Sequence, residues 1–325
     1  LRDLAAQFDI RSIMPCSHGS AGALVGNGSL VLPVMDYDQD VPSEVQAVHD
    51  VMGLSWADRG GATKAGATHL ARQMLWQERN WPEAFSRADC LLGLPQYWAW
   101  FLSGVAASEI TYLSAQSHLW NVIERRIPDA VRARGWQRLI PAMVPAWKVL
   151  GGLRPEVARA TGLSPDTKIH CGVHDSSATF FRYKAAGLSD FCVVSSGSWI
   201  VSLCDELEPA RVATGGLVNS FADVHGNAVG GILFMGGREF AALVAGEGPA
   251  QDDELRGALR TVLAAKTMAL PSFSRFDGLF PGSGGRGRIA GPPPSGPAER
   301  EAMAVLYLAL QTDVSLTALG GRSRV

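Results

Sequence analysis

The sequence predicts an α/β protein of two domains, and three observations carry that prediction. At 325 residues the chain is longer than one hydrophobic core usually supports. Short apolar runs of strand length alternate with helix-length amphipathic stretches. A connection marked by Gly151-Gly152 and Pro165 separates two such series. The boundary is therefore expected near Pro165, giving domains 1–165 and 166–325.

Taken in order, residues 1–8 read as the end of a helix and 10–14 as a strand. Ser29 to Met35 reads as a second strand after the turn Gly26-Asn27-Gly28. Thr68 to Glu78 has Leu70, Met74 and Leu75 near one face, the spacing of an amphipathic helix. Pro95 to Leu102 is predicted helical because Pro95 suits a first turn and Gly104 a stop. Its rings Tyr97, Trp98, Trp100 and Phe101 read first as packing residues. Pro155 to Thr161 fits one short helix, broken by Gly162-Leu163-Ser164-Pro165.

Beyond the boundary, Thr167 to Cys171 is strand-like. Asp190 to Val194 and Trp199 to Leu203 read as the arms of a hairpin around a Ser/Gly turn. Gly282 to Pro297 is rich in Gly and Pro and reads as a surface loop, after which Pro297, Glu299 and Glu301 open an apolar helix that Gly320 ends. Both chain ends read as cut.

Composition excludes several classes. Hydrophobic residues make up 47% and charged residues 18%, with a net charge of −2, the balance of a packed protein rather than a disordered one. Scattered arginines such as Arg125, Arg126, Arg132, Arg134 and Arg138 read as a solvated face, so no nucleic-acid partner is expected. No apolar run reaches membrane-spanning length and no signal peptide is visible, which predicts a cytoplasmic protein with no membrane partner. The five cysteines are odd in number and widely spaced, without a C-x-x-C pair. They read as reduced thiols, with neither a disulfide framework nor a zinc site.

Two phrases carry candidate chemistry. Gly172-Val173-His174-Asp175-Ser176-Ser177-Ala178 follows a strand, and Ser195-Ser196-Gly197-Ser198-Trp199 lies twenty residues after Asp175 between two apolar runs. An acid at a strand's end can accept a proton from a substrate hydroxyl. A Gly/Ser turn can present backbone N–H groups to a phosphate, with Gly197 expected to supply a backbone angle other residues resist. Taken alone, Asp175 reads first as a helix cap and the second phrase first as an ordinary hairpin turn.

Together these phrases resemble the C-terminal domain of the FGGY carbohydrate kinases, in particular the rhamnulokinase-like branch. The resemblance implies two ribonuclease-H-like, actin-like ATPase domains around a cleft, both incomplete at the chain ends. It implies ATP-dependent phosphorylation of a sugar hydroxyl, of a ketose or deoxyketose, with Asp175 as general base and Ser196, Gly197 and Ser198 on the phosphate. Mg²⁺ is implied only as a companion of ATP, with no protein-bound metal. More softly, Cys16-Ser17-His18-Gly19 and Pro33-Val34-Met35-Asp36-Tyr37-Asp38 are similar to the segment lining the sugar site. His18, Asp36 (or Asp38) and His174 are then sugar contacts. Leu94-Pro95-Gln96-Tyr97-Trp98, followed by Leu102-Ser103-Gly104, resembles a family phrase that adds Gln96 and Tyr97 to that set, with Gln96 standing where relatives commonly carry an acid. Gly236 and Gly237, in Phe234 to Phe240, border the nucleotide or merely begin a packed helix. The family's N-terminal phosphate turn and its adenine segment are expected outside Leu1 to Val325.

Other motifs fail. Gly282, Gly284 and Gly287 match G-x-G-x-x-G in a Pro-rich loop, not between a strand and a helix. No Walker P-loop occurs, and Ser20 lacks the preceding glycine of a nucleophile elbow. The competing readings are a non-catalytic sugar- or nucleotide-binding protein of the same fold, and an ATPase that uses Asp175 to activate water.

Overall fold

The computed structural model describes residues 1–212, 216–244, 246, 250–275, 278–320 and 325. The chain is mixed α/β and forms two compact units. The first comprises 1–188, 207–216 and 220–229; the second comprises 189–206, 217–219 and 230–325. The division thus falls after Leu188 rather than near Pro165. Strand pairing explains the shift. Lys168–His170 pairs in parallel with Ser12–Ile13, and Val173–His174 pairs in parallel with Cys16–Ser17, so the segment expected to open the second domain is built into the first.

In the first unit Asn27 and Gly28 both take positive φ, 51° and 75°, the backbone that closes a tight antiparallel hairpin. Gly22–Gly26 and Ser29–Leu30 are its arms, and Cys90–Gly93 pairs on the other side of Gly22–Gly26. The strand expected over 29–35 therefore ends at Leu30, and the one before the turn, Gly22–Gly26, is the buried member. Two expected helices match closely: Leu94–Ser103 stops at Gly104 with φ 84°, and Pro155–Thr161 stops at Gly162 with φ 76°. The largest core is built where Leu70–Asn80 lays Leu70, Met74 and Leu75 against Leu24, Leu91, Phe85 and Trp136. Burying each such side chain contributes roughly 1.5–3 kcal/mol.

In the second unit Cys192–Ser196 and Ile200–Cys204 form the expected hairpin, extended by antiparallel pairing of Ile200–Cys204 with residues 230–234. The 22-residue helix Pro297–Ala318 packs with Gly236–Val244 and Asp252–Ala264 around Leu243, Val262, Met303 and Tyr307. The segment 282–297 is not all loop: Arg288–Ala290 pairs with Met268–Leu270. The cysteine expectation is also corrected. Cys192 and Cys204 are joined by a disulfide because the antiparallel register sets them opposite each other, Cα atoms 4.1 Å apart, a proximity their twelve-residue separation does not reveal. Cys16, Cys90 and Cys171 are free thiols. No helix among the described residues is long and apolar enough to cross a membrane.

A buried histidine stack inside the first unit sets its acid limit. His49, His69 and His118 are at most 2% exposed, with the His69 and His118 rings 3.6 Å apart and His49 5.3 Å from His118. His69 bonds the Gln116 carbonyl through Nδ1 and accepts the Lys64 N–H at Nε2, which fixes a neutral tautomer. Burial first, then the charges of Arg72 and Arg59 and the neighbouring rings, hold the three well below the ordinary histidine range, His49 at about 3. Asp50, mostly exposed, lies 3.9 Å from His49 Nδ1. Because the folded values lie below the unfolded value of 6.5, stability is full above that pH. It is lost as pH falls toward the folded values, by up to about 4 kcal/mol per pH unit for three groups. Thermal unfolding at pH 7.5, 6.5 and 5.5 should show a steep fall below 6.5. His118→Asn, a side chain suited to the φ of 63° there, should reduce that slope by about one third. A flat profile contradicts this account.

Candidate active site

The site is built from the chain preceding Asp175. Gly172 takes φ 92°, and a Cβ there would stand 2.6 Å from the Pro15 carbonyl oxygen, so only glycine lets the strand turn this close to its neighbour. The Val173 N–H then donates to Pro15 O at 3.0 Å. The register Ser17↔His174 follows, bringing His18 and Gly19 beside His174 and Asp175. Asp175 opens the helix Asp175–Ala185, with its side chain 49% exposed. Its Oδ1 accepts the Ser176 N–H at 2.6 Å and the Ser176 hydroxyl at 3.2 Å, and lies 3.4 Å from His174 Nε2.

His174 is buried. Its backbone N–H donates to Thr111 Oγ1 at 3.1 Å, its Nδ1 meets Ser177 Oγ at 3.2 Å, and its ring stands edge-on to Tyr112. Burial lowers its pKa; the nearby Asp175 charge opposes this and His18 adds to it. Gly19 packs so close that a Cβ would lie 3.3 Å from His174 Nε2. His18 itself is exposed, bonded through Nδ1 to the Gly19 carbonyl at 2.7 Å, with Tyr37 5.5 Å from its ring. Asp36 is exposed and accepts the Asp38 N–H at 3.0 Å, closing the short turn that carries Tyr37. The first unit thus assembles His18, His174 and Asp175 around one strand pair, with the Asp36 turn joined through Tyr37.

Gln96 and Tyr97 are placed differently from the expectation that both touch a sugar. Gln96 is 1% exposed and donates through Nε2 to the carbonyls of Cys171 and Gly172, at 3.3 and 3.2 Å. It therefore holds the strand leading to Asp175. Tyr97 is half-buried among Trp98, Trp100 and Phe101, part of an aromatic packing cluster. Glu109 and Thr111 were missed by sequence reasoning. Thr111 Oγ1 donates to Glu109 Oε2 at 2.5 Å, and the Tyr112 N–H donates to the same oxygen at 3.1 Å. Burial pushes Glu109 up to about 7 against these bonds. The only sequence signal was an acid three residues before an N–H it caps.

In the second unit Ser196, Gly197 and Ser198 form the exposed tip of the hairpin. The expectation of a special angle at Gly197 is corrected: its φ is not in the left-handed region, and a Cβ would meet only Trp199 O at 3.8 Å. The constrained glycine is Gly237. The helix Gly236–Val244 starts against the tip, with the Gly237 N–H donating to Ser198 O at 3.2 Å, and a Cβ on Gly237 would stand 2.6 Å from Gly197 O. Gly236 has Ile200 in the place of a side chain. Two residues on, buried Glu239 accepts the Phe273 and Ser274 N–H groups and the Tyr307 hydroxyl, at 2.8, 3.0 and 2.9 Å. These bonds tie the helix start to the 272–274 segment. Among the described residues, no group of three or more His, Cys, Asp or Glu is arranged to hold a metal ion.

With this geometry in hand, comparison places the chain. Residues 61–181 match the FGGY family of carbohydrate kinases, N-terminal domain, and residues 188–325 match carbohydrate kinase FGGY, C-terminal domain. A crystal structure of a carbohydrate kinase from Novosphingobium aromaticivorans is 31% identical, with a TM-score of 0.82 over 98% of this chain and 70% of that one. The chain belongs to the FGGY family of carbohydrate kinases. A ligand-bound xylulose kinase from Lactobacillus acidophilus, 18% identical, shares the fold with a TM-score of 0.77 over 98% of this chain and 66% of that one. An L-fuculokinase from Salmonella typhi is 26% identical over 197 residues, 58% of this chain and 40% of that protein. The chain matches less than half the length of such curated relatives. Its FGGY membership carries the two-domain, ribonuclease-H-like fold, and the family boundary between 181 and 188 agrees with the division after Leu188.

The two glycines at the hairpin tip make opposite predictions. Gly237→Ala should destabilise the protein by about 1–3 kcal/mol in urea unfolding, because its methyl meets backbone that must move. Gly197→Ala should change stability by less than about 0.5 kcal/mol. Equal effects, or the reverse order, contradict the packing described.

Proposed function

We propose that the protein transfers the terminal phosphoryl group of ATP to a hydroxyl of a ketose or deoxyketose, with Asp175 as general base. The observation that carries this reading is the half-exposed Asp175 carboxylate at a helix N-terminus, beside His18 and His174, in a chain of the FGGY family. Kinases of this family use ATP, normally with Mg²⁺. The relatives named for fuculose and xylulose support a ketose acceptor. The phrases around Asp175 and Ser195 to Trp199 support a rhamnulokinase-like relationship within the family.

In this reading the hydrogen bonds to Asp175 fall on Oδ1, which leaves Oδ2 to accept the proton of the acceptor hydroxyl. The sugar oxygen then forms its bond to the terminal phosphorus as the bridging P–O bond breaks, and ADP departs with that electron pair. His18 and the Asp36 turn contact the sugar; His174, expected as a further sugar contact, is instead buried, with Nε2 3.4 Å from Asp175 Oδ1. Gln96 acts on the backbone beneath rather than on the sugar.

For the donor, the exposed tip at Ser196 to Ser198 fits a phosphate group. No side chain fills the space at Gly197, and the nine-residue helix beginning at Gly236 starts against it. ATP supplies the transferred group, and Mg²⁺ arrives on its phosphates. Water exclusion by bound sugar keeps the base from activating water.

The test is ADP formation with ATP, Mg²⁺ and a panel of ketoses including fuculose and xylulose. ADP formation should require the sugar, and Asp175→Asn should lower kcat about 10²–10⁴-fold with little change in the sugar KM. Sugar-independent phosphate release selects the ATPase reading, and calorimetric sugar binding without turnover selects a binding protein. Undiminished turnover in Asp175→Asn removes Asp175 from the base role.

A further inference from the structure

We infer that Thr111, oriented by Glu109, is a positioning residue for the Asp175 base, an inference that rests on the phosphoryl-transfer reading above. Two hydrogen bonds at Thr111 have a fixed direction. A threonine hydroxyl has one proton to give. Thr111 gives it to Glu109 Oε2 at 2.5 Å, and a carboxylate next to a hydroxyl accepts that proton's bond in preference to any neutral partner. With its proton committed, Thr111 Oγ1 presents lone pairs to the His174 N–H 3.1 Å away. The relay therefore runs one way, from His174 N–H through Thr111 to Glu109.

Its end point is what gives it a role. His174 is the residue immediately before Asp175 and the cap of the helix that Asp175 begins. Each of the four residues before the base has at least one backbone group fixed: Cys171 and Gly172 by their carbonyls to Gln96 and by their N–H groups to the Lys148 and Ala146 carbonyls, Val173 by its N–H to Pro15, and His174 by its N–H to Thr111. Only the last of these bonds runs through a hydroxyl whose own proton is given to a buried acid. Glu109 is 0% exposed, and among the described residues its Oε1 has no hydrogen-bond partner. Capping the short helix Ile110–Ser114 does not require a buried carboxylate, since a Ser or Thr hydroxyl caps with a single neutral oxygen. A buried acid that takes the Thr111 proton, and so fixes the direction of a bond to the base's neighbour, is explained by positioning.

The experiment compares wild type, Thr111→Val and Thr111→Ser in sugar-dependent ADP formation, with rates expressed per folded molecule. Valine keeps the shape and removes the relay; serine restores it. Thr111→Val should lower kcat about 10–100-fold while the sugar KM stays within about threefold, the signature of a misplaced base. Thr111→Ser should stay within about threefold of wild type in both. A role in stability alone lowers the Tm of Thr111→Val and leaves kcat per folded molecule intact. That result, or equal impairment of serine and valine variants, overturns the inference. If wild type shows no sugar-dependent turnover, the phosphoryl-transfer reading falls by itself, and amide exchange then decides the relay. The His174 N–H should exchange at least about tenfold faster in Thr111→Val than in wild type or Thr111→Ser, and equal rates in all three overturn it.

Discussion

The parallel pairing of Cys16–Ser17 with Val173–His174 is the constraint on which the rest of the first unit's chemistry depends. Only two residues long on each side, it would be negligible as a source of stability by itself. Its effect comes from what borders it. Gly172 turns under Pro15 because it has no side chain, Gln96 grips the two carbonyls before the turn, and Thr111 takes the N–H after it. A two-residue strand about to become a helix would otherwise fray. Here the backbone N–H of each residue from Cys171 to His174 has a partner, and the carboxylate that follows has one oxygen committed.

The second unit solves a related problem by close packing. An exposed hairpin tip is a mobile feature unless something underpins it, and the start of the Gly236–Val244 helix does so at a distance only glycine permits. Glu239 then fixes that helix start to the 272–274 segment through three hydrogen bonds from one buried carboxylate. The cross-strand disulfide holds the hairpin at its other end, where Cys192 faces Cys204. The tip is thereby left open on its outer side and supported on its inner one, the requirement for a turn that receives a ligand without rearranging.

Much of this was legible in the sequence because the relevant signals are local. Pro95 and Gly104, Pro155 and Gly162, and Pro297 mark helix ends through fixed φ and positive φ, and those helices lie where expected. Asp175 and the 195–199 turn stood out because an acid after a strand and a Ser/Gly bend are short-range patterns. What was not legible is set by pairing across long separations. The boundary moved from Pro165 to Leu188 because residues 168–174 pair with 12–17, and nothing near Pro165 records that partner. Gln96 was expected at the sugar because it stands in a phrase resembling one of the family's, whereas its hydrogen bonds to two backbone carbonyls 75 and 76 residues away appear only in three dimensions. Gly197 and Gly237 exchanged roles for the same reason: the glycine in the conspicuous motif is unconstrained, and the one forty residues later bears the contact. The Cys192–Cys204 pairing likewise depends on register, not spacing.

The central claim is that Asp175, held from behind by its neighbours, offers Oδ2 to a sugar hydroxyl. A crystal structure with bound fuculose or xylulose tests it most directly. The account predicts one sugar hydroxyl oxygen within about 2.6–3.2 Å of Asp175 Oδ2, with His18 also in contact with the sugar. A sugar bound elsewhere, or bound at His18 with Asp175 turned away and bonded to protein through both oxygens, would contradict it.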